Sequence, residues 1–412
     1  MQKFVEKSIL FSLSFLLLTS IFSSCKKDVE ISTPTTEPTT TTPSTFDGKV
    51  IIVGAGAAGL AAAKKLEEAE IVYQILEATE HYGGRIQKDE DFADFPIDLG
   101  AEWIHTDKSI LNELIGSSEP EPDVETFLYQ PTDVYEFDGT NYEQIPPFLM
   151  EIFYADYFKE YKFKNTTWYD YISENFAQPV EQNIVYNAKV STIDYSGEQV
   201  IVTTEDGTEY TADKVISTVS VGVLKSNFIN FIPALPAAQI AAINSIEFLP
   251  GLKLFMKFSE KFYPDVISCE TATGEKTYYD AAYQKEANDH VLGLLSTGAS
   301  TEEYYQLANS QAIVDAVLAE LDGIYNGAAS QAYTGEYILK DWGQEVNTLG
   351  SWTAPKEVCP EDLKISPEDK VYFAGATFGD IFDADDNITS NVRGSVQAAI
   401  LSGYDAVNKI LE

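Results

Sequence analysis

The chain has 412 residues, 65 acidic against 27 basic with three histidines, for a formal charge of −38; 44 % is hydrophobic and 12 % aromatic. That is the composition of a globular protein of two or three folding units, and its acid excess disfavours nucleic acid while attracting cations, protonated amines among them. Three cysteines make neither a disulfide framework nor a zinc cluster, and two arginines, Arg85 and Arg393, against 25 lysines exclude a function needing several bidentate anion clamps.

The first element is an address. Lys3 and Lys7 precede the apolar run Ile9 to Phe22, which is too short to span a bilayer comfortably and ends at Ser23-Ser24-Cys25. Residues 1–24 read as a signal peptide. Cys25 after two serines resembles a bacterial lipoprotein signal in which that cysteine is acylated; an ordinary signal peptide with Cys25 a bystander is the alternative. Lys26-Lys27-Asp28 suits surface export, and residues 32–45 are almost all Thr, Ser and Pro, an extended tether. Residues 25–46 are therefore expected to anchor a folded domain at the cell envelope, on the periplasmic or surface face of an outer membrane.

Lys49 to Val53 is a short strand, Gly54-Ala55-Gly56-Ala57-Ala58-Gly59 follows, and Leu60 to Ala69 has helical composition. Gly54 allows the tight turn, Gly56 a close approach of backbone to pyrophosphate, and Gly59 close helix–strand contact. The helix N-terminus then offers free N–H groups to phosphate. A second strand, Ile71 to Leu76, ends at Glu77, 18 residues beyond Gly59, where a carboxylate accepts ribose hydroxyls. Gly83-Gly84-Arg85 suits a second approach to the pyrophosphate; plain nicotinamide dehydrogenases lack it, and flavoproteins resembling glutathione reductase and amine oxidases often have it.

From these motifs onward, Lys49 to Glu412, the chain resembles the flavin-containing amine oxidases, the family of monoamine and polyamine oxidases. Asp98-Leu99-Gly100-Ala101-Glu102-Trp103-Ile104-His105 is similar to the segment passing the flavin ring, Val190 to the residue whose backbone pairs with adenine, and Val215 to Lys225 to the return strand. Lys253 falls where the family keeps its flavin-side lysine, and Val371 to Gly375 and Gly394 to Gly403 resemble the closing cofactor motifs. The resemblance implies non-covalent FAD held by Gly54, Gly56, Ala58, Gly59, Glu77, Gly84, Arg85, Gly100, Ala101, Glu102, Trp103, Val190, Gly375, Ala376, Gly394, Ser395 and Val396. The expected fold is α/β, a Rossmann-type, glutathione reductase-like FAD-binding domain with an inserted α+β substrate domain on a mixed sheet. Residues 47–115, 180–225 and 360–412 are assigned to the first domain, and 116–179 and 226–359 to the second.

Departures are equally specific. Ala376 stands where the family usually has Glu, and Ser351 where a covalently attaching Cys would fall. Trp352 supplies one wall of an aromatic cage whose other wall would fall at Ser395, and the stretch from Leu111 to Pro179 is short, so an open or differently shaped pocket is expected. The loop 379–387 carries four aspartates, read as a solvated loop rather than a cation site.

Amine oxidation moves two electrons and a hydrogen from the α-carbon to the flavin; the protein supplies position, dryness and protonation state. Trp352 is the desolvating wall that favours a neutral amine. Lys253 is read as catalytic by the resemblance, although strand alternation alone allows an outward lysine. His105 is the candidate to orient the amine; His81 reads as a turn residue and His290 as part of a polar loop. The implied activity converts a primary or secondary amine to an imine, then an aldehyde, with O2 reduced to H2O2. The alternatives are a catalytically weak flavin-binding surface protein and an L-amino-acid oxidase gripping its substrate's carboxylate through Arg393. In the scaffold, Ser300 and Glu303 form an expected capping box, Ile313, Val314, Val317, Leu318 and Leu321 a helical core face, and Leu252–Phe258, Val291–Leu295 and Tyr337–Trp342 strands. Whether Cys269 pairs with Cys359 is left open.

Overall fold

The computed structural model describes residues 46–119, 122–157, 159–353, 360–379 and 394–412. The leader, Cys25, the tether, Cys359, Arg393 and the aspartates at 380, 383, 385 and 386 lie outside them.

The first glycine-rich turn organises a five-stranded parallel sheet. Its strands lie in the order Val371–Phe373, Lys214–Ser217, Val50–Val53, Tyr73–Leu76, Ile184–Val185. The middle strand is buried on both faces, which is why it reads as an unbroken apolar run. The Ala57–Glu68 helix covers one face with alanines, and the C-terminal Val396–Leu411 helix lies on it. Contact between these helices depends on small residues: a Cβ on Gly403 would stand 2.3 Å from the Ala58 carbonyl oxygen. A four-stranded sheet, Glu209–Ala212, Val200–Thr204, Val190–Asp194, Asn230–Ile232, packs against the other face.

The second layer system is a seven-stranded mixed sheet in the order Tyr333–Asp341, Gly251–Phe258, His290–Thr297, Lys276–Asp280, Val266–Cys269, Val134–Phe137, Tyr142–Gln144. All its pairings are antiparallel except Val266–Cys269 with Val134–Phe137. Alternation along Gly251–Phe258 sends Leu252, Leu254 and Met256 to a core shared with Ile313, Val314, Val317 and Leu321 of the Ser310–Tyr325 helix. Each of those aliphatic side chains contributes roughly 1.5–3 kcal/mol by burial. The α/β architecture with a mixed-sheet insertion is thus the observed fold.

Packing divides the chain differently from the sequence-based boundaries. Asn230–Ile232 pairs with Val190–Asp194, and Ala242 and Ile243 share a core with Leu363, so residues 226–246 belong with the nucleotide half. Phe163, Trp168, Tyr171 and Phe176 likewise join the core beneath the Ala57–Glu68 helix. Both segments bury apolar side chains in the cores of the first half. The expected Ser300/Glu303 capping box is absent: Ser300 lies inside the short Ala299–Tyr304 helix, hydrogen-bonded to Ser296 Oγ at 2.7 Å. The cap of the following helix is Asn309, whose side chain accepts from Ala312 N. His290 opens a strand rather than sitting in a loop. Cys269 is a buried free thiol whose pKa burial pushes up to about 12, inert as a nucleophile.

Candidate active site

One cavity of about 530 Å³ runs between the two sheets, lined at one end by the glycine-rich turn and at the other by Gly100–Trp103, His105, Glu160, Lys253, Glu275, Trp342 and Trp352. At the first end Gly54 has φ +103°, accessible to glycine with little strain, and a Cβ on Gly59 would stand 2.0 Å from the Gly54 carbonyl oxygen. A Cβ on Gly56 would meet no protein atom within 4 Å, so here the backbone itself borders open space. The helix beginning at Ala57 has no side-chain cap, which leaves its first N–H groups facing the cavity.

The Glu77 carboxylate accepts from Ala55 N at 2.7 Å and from Thr79 N and Oγ1 at 2.9 Å each. A carboxylate has about four acceptor sites, so roughly one remains for a ribose hydroxyl. Arg85 donates to the Ser351 carbonyl at 2.6 Å and lies 5.4 Å from the Phe248 ring centroid, without a carboxylate partner among the described residues. Burial lowers its pKa to about 10, a cost that an anion beside it would offset. A turn that admits pyrophosphate, an uncapped helix start and a half-buried guanidinium without a carboxylate among the described residues fit a dinucleotide. Ala188, Lys189 and Val190 line the same cavity from the second sheet, while Gly375, Ala376, Gly394, Ser395 and Val396 close it. Ser395 is occupied as the N-cap of the last helix, accepting from Ala398 N at 3.1 Å, which accounts for a serine where the resemblance suggested an aromatic.

The other end is an ionic and aromatic assembly. Lys253 is 3 % exposed; its Nζ donates to Glu102 Oε2 at 2.6 Å and to the Asp98 carbonyl at 3.1 Å. Glu102 lines the cavity and commits its carboxylate to Lys253, Lys162 and the Tyr279 hydroxyl, the last donating at 2.7 Å. Burial raises the pKa of Glu102, but Lys162 and Lys253 outweigh it and hold the carboxyl ionised. Asp98 beside it is pushed up to about 8 by burial and by the charge of Glu102. The Trp103 ring has both ammonium groups about it, Lys162 at 5.0 Å and Lys253 at 5.1 Å from the centroid.

Nearer the open part of the cavity, His105 Nδ1 is 2.7 Å from Glu160 Oε1. Glu275 is set at the start of a strand by Thr277 Oγ1, which donates to its carboxylate at 2.8 Å, and by its own N–H donating to Thr297 Oγ1 at 2.9 Å. Glu275 is exposed to solvent at the cavity mouth; desolvation by the protein around it and the charge of Glu160 push its pKa upward, while Thr277, His105 and Lys253 lower it. Three of the four tryptophans line the cavity: Trp103, Trp342 and Trp352. Trp342 is held by its indole N–H donating to the Leu99 carbonyl at 2.8 Å.

The sequence reading did not single out Lys162, Tyr279, Glu160, Glu275 or Trp342. Glu160 and Glu275 are two acids among 65 with no motif around them. Lys162, between Tyr161 and Phe163, carries a weak signal, a single cation inside an aromatic strand.

A family model described as flavin containing amine oxidoreductase matches residues 57–168 and 148–411. Polyamine oxidase 4 of Oryza sativa subsp. japonica is 27 % identical over 444 residues, covering 87 % of this chain and 88 % of its own. Polyamine oxidase 1 of Zea mays is 25 % identical over 470 residues, with 89 % and 91 % covered. Among solved structures, a putrescine oxidase bound to putrescine superposes with TM-score 0.67 at 16 % identity, over 88 % of this chain and 99 % of that one. Cyclohexylamine oxidase from Brevibacterium oxydans IH-35A gives 0.68 at 17 %, over 89 % and 99 %. At these identities the two structures establish a shared fold.

Proposed function

Because the chain belongs to the flavin containing amine oxidoreductases and is an FAD-dependent enzyme of that class, we propose that it oxidises an amine bearing a second, protonated nitrogen, a diamine or polyamine, with O2 as electron acceptor. The observation that carries this is the acidic wall of Glu160 and Glu275, with His105 against Glu160, in a tryptophan-lined cavity that also holds Lys253. FAD, when bound, supplies the two-electron acceptor for the α-carbon hydrogen, giving an imine that water converts to an aldehyde and H2O2 from oxygen.

The residues divide the work. Gly54, Gly56, Gly59, Glu77, Arg85 and the start of the Ala57–Glu68 helix hold the dinucleotide. Trp103, Trp342 and Trp352 exclude water from the reacting carbon and lower the pKa of the adjacent nitrogen, keeping its lone pair free. Glu275, with Glu160 fixed by His105, receives the distal ammonium at the wet side, where charge is tolerated. The net charge of −38 raises the local concentration of such cations at low salt. The amino-acid alternative rests on Arg393, outside the described residues; Arg85, the other arginine, lies against Ser351 at the nucleotide end.

Glu275→Gln tests this directly. Its KM for an α,ω-diamine should rise about tenfold, the value of one charge-assisted contact, while KM for an alkyl monoamine of equal length stays within about twofold. Equal effects on both substrates would rule the distal-ammonium role out. In the unmodified protein diamine KM should also climb on acidification, because protonation removes the Glu275 charge.

The lipid-anchored location is part of the same proposal, supported by the Ser23-Ser24-Cys25 sequence and the Thr/Pro tether. Among the described residues no helix is long and apolar enough to cross a membrane. Cells fed a labelled fatty acid should incorporate it into this protein and fail to do so with Cys25→Ser; label retained in that variant refutes the anchor.

A further inference from the structure

Lys162 is the most deeply buried lysine of the described chain, 2 % exposed, and unlike Lys253, Glu102 and Trp103 it does not line the cavity. Its ammonium is ion-paired with Glu102 Oε1 and enclosed by three rings, Trp103 and Tyr129 at 5.0 Å and Tyr279 at 5.1 Å. Burying an ammonium there costs several kcal/mol before pairing. A hydrophobic residue would fill the space more cheaply, so the charge itself needs an explanation.

The explanation lies in the charges of the cluster. Glu102 and Lys253 alone form a neutral pair, so a flavin-side lysine tied to a carboxylate at 2.6 Å would present little net charge to the cavity. With Lys162 included and Asp98 beside them holding its proton, two cations share one anion and this trio is net positive by one charge, with Lys285 nearby outside the hydrogen-bonded set. Tyr279 donates to Glu102 without changing this count.

We infer that Lys162 is a positioning residue that balances Glu102 from behind, so that Glu102 can fix Lys253 in place without cancelling its charge toward the flavin. Lys162 touches neither cofactor nor substrate in this arrangement; it acts through Glu102. The inference rests on the FAD reading of the cavity and is independent of which amine is oxidised.

Three variants decide it: Lys162→Met, Glu102→Gln and the double variant, each loaded with FAD. The readouts are the two-electron reduction potential at pH 7 and the rate at which oxygen reoxidises the reduced protein. The cluster's formal charge is +1 in the natural chain, 0 in Lys162→Met, +2 in Glu102→Gln and +1 again in the double variant, by the pairs above. The potential should therefore be lowest in Lys162→Met and restored in the double variant; in Glu102→Gln it should rise by less than a full charge's worth, because Asp98, no longer held protonated by Glu102, ionises beside the two lysines. Reoxidation of Lys162→Met should slow about tenfold, the factor carried by one pKa unit of lost interaction, and recover when Glu102 is also neutralised.

A merely structural Lys162 would leave the potential unmoved, or make the double variant worse than either single one; both outcomes overturn the inference. If Lys162→Met fails to fold, the double variant, which removes a balanced pair, still decides: a potential displaced from that of the natural chain sinks the idea. Failure of the natural chain to hold FAD would overturn the reading of the cavity itself, before any variant is compared.

Discussion

The two ends of the cavity are assembled in opposite ways. The nucleotide end is local: Gly54 to Arg85 supply the turn, the helix start, the carboxylate and the guanidinium from one run of chain. The lysine end is gathered from far apart, with Glu102, Lys162, Lys253, Tyr279 and Trp342 on different segments. A local site needs the backbone to be right, so its failures are steric. A dispersed site needs charges to balance across the fold, so its failures are electrostatic and depend on pH.

The largest effect expected from this contrast is at Gly59. Gly59→Val places side-chain atoms where even a Cβ would stand 2.0 Å from the Gly54 carbonyl oxygen, so the helix must move off the first strand. Overpacking of this kind costs about 1–3 kcal/mol or more and should abolish the yellow FAD spectrum of the purified protein. A normally loaded Gly59→Val protein would break the claim that the nucleotide end is controlled by sterics.

A smaller effect, at the dispersed end, is a pH slope. Asp98, pushed up to about 8, holds a proton in the folded state that the unfolded chain releases near pH 4. Between those values the folded state binds more protons, so stability of the flavin-free protein should fall as pH rises from about 4 to 8 and level off above. Asp98→Asn should remove most of that slope in urea unfolding followed at several pH values. An unchanged slope would mean that the proton resides elsewhere in the cluster.

The legibility of the two ends follows the same division. The strand, three glycines and Glu77 are contiguous and each has one mechanical task, so the sequence announces them. Lys253 was reached through resemblance alone, since alternation in Leu252–Phe258 allows a buried or a solvated lysine equally. Its partners Glu102 and Lys162 lie 151 residues and 91 residues before it in the chain, and nothing in either local sequence points to the other. Ser395 shows the reverse: the sequence marks the missing aromatic wall there, and only the structure shows that the position is the hydrogen-bonding cap of the last helix. Residues 226–246, read from the sequence as part of the substrate half, lie with the nucleotide half because Asn230–Ile232 pairs with Val190–Asp194, a long-range contact that no local pattern records.

By itself the sequence determined the α/β fold and the dinucleotide turn, because these depend on backbone conformations that glycine spacing and short apolar strands specify locally; the flavin chemistry was legible only through resemblance to a family. Tertiary structure alone decided which charges neutralise one another around Lys253, which acids face the cavity and that Trp103 and Trp342 line it with Trp352. Those relations are energies between distant residues in a medium of low dielectric, and a linear chain carries no record of such distances until it has folded.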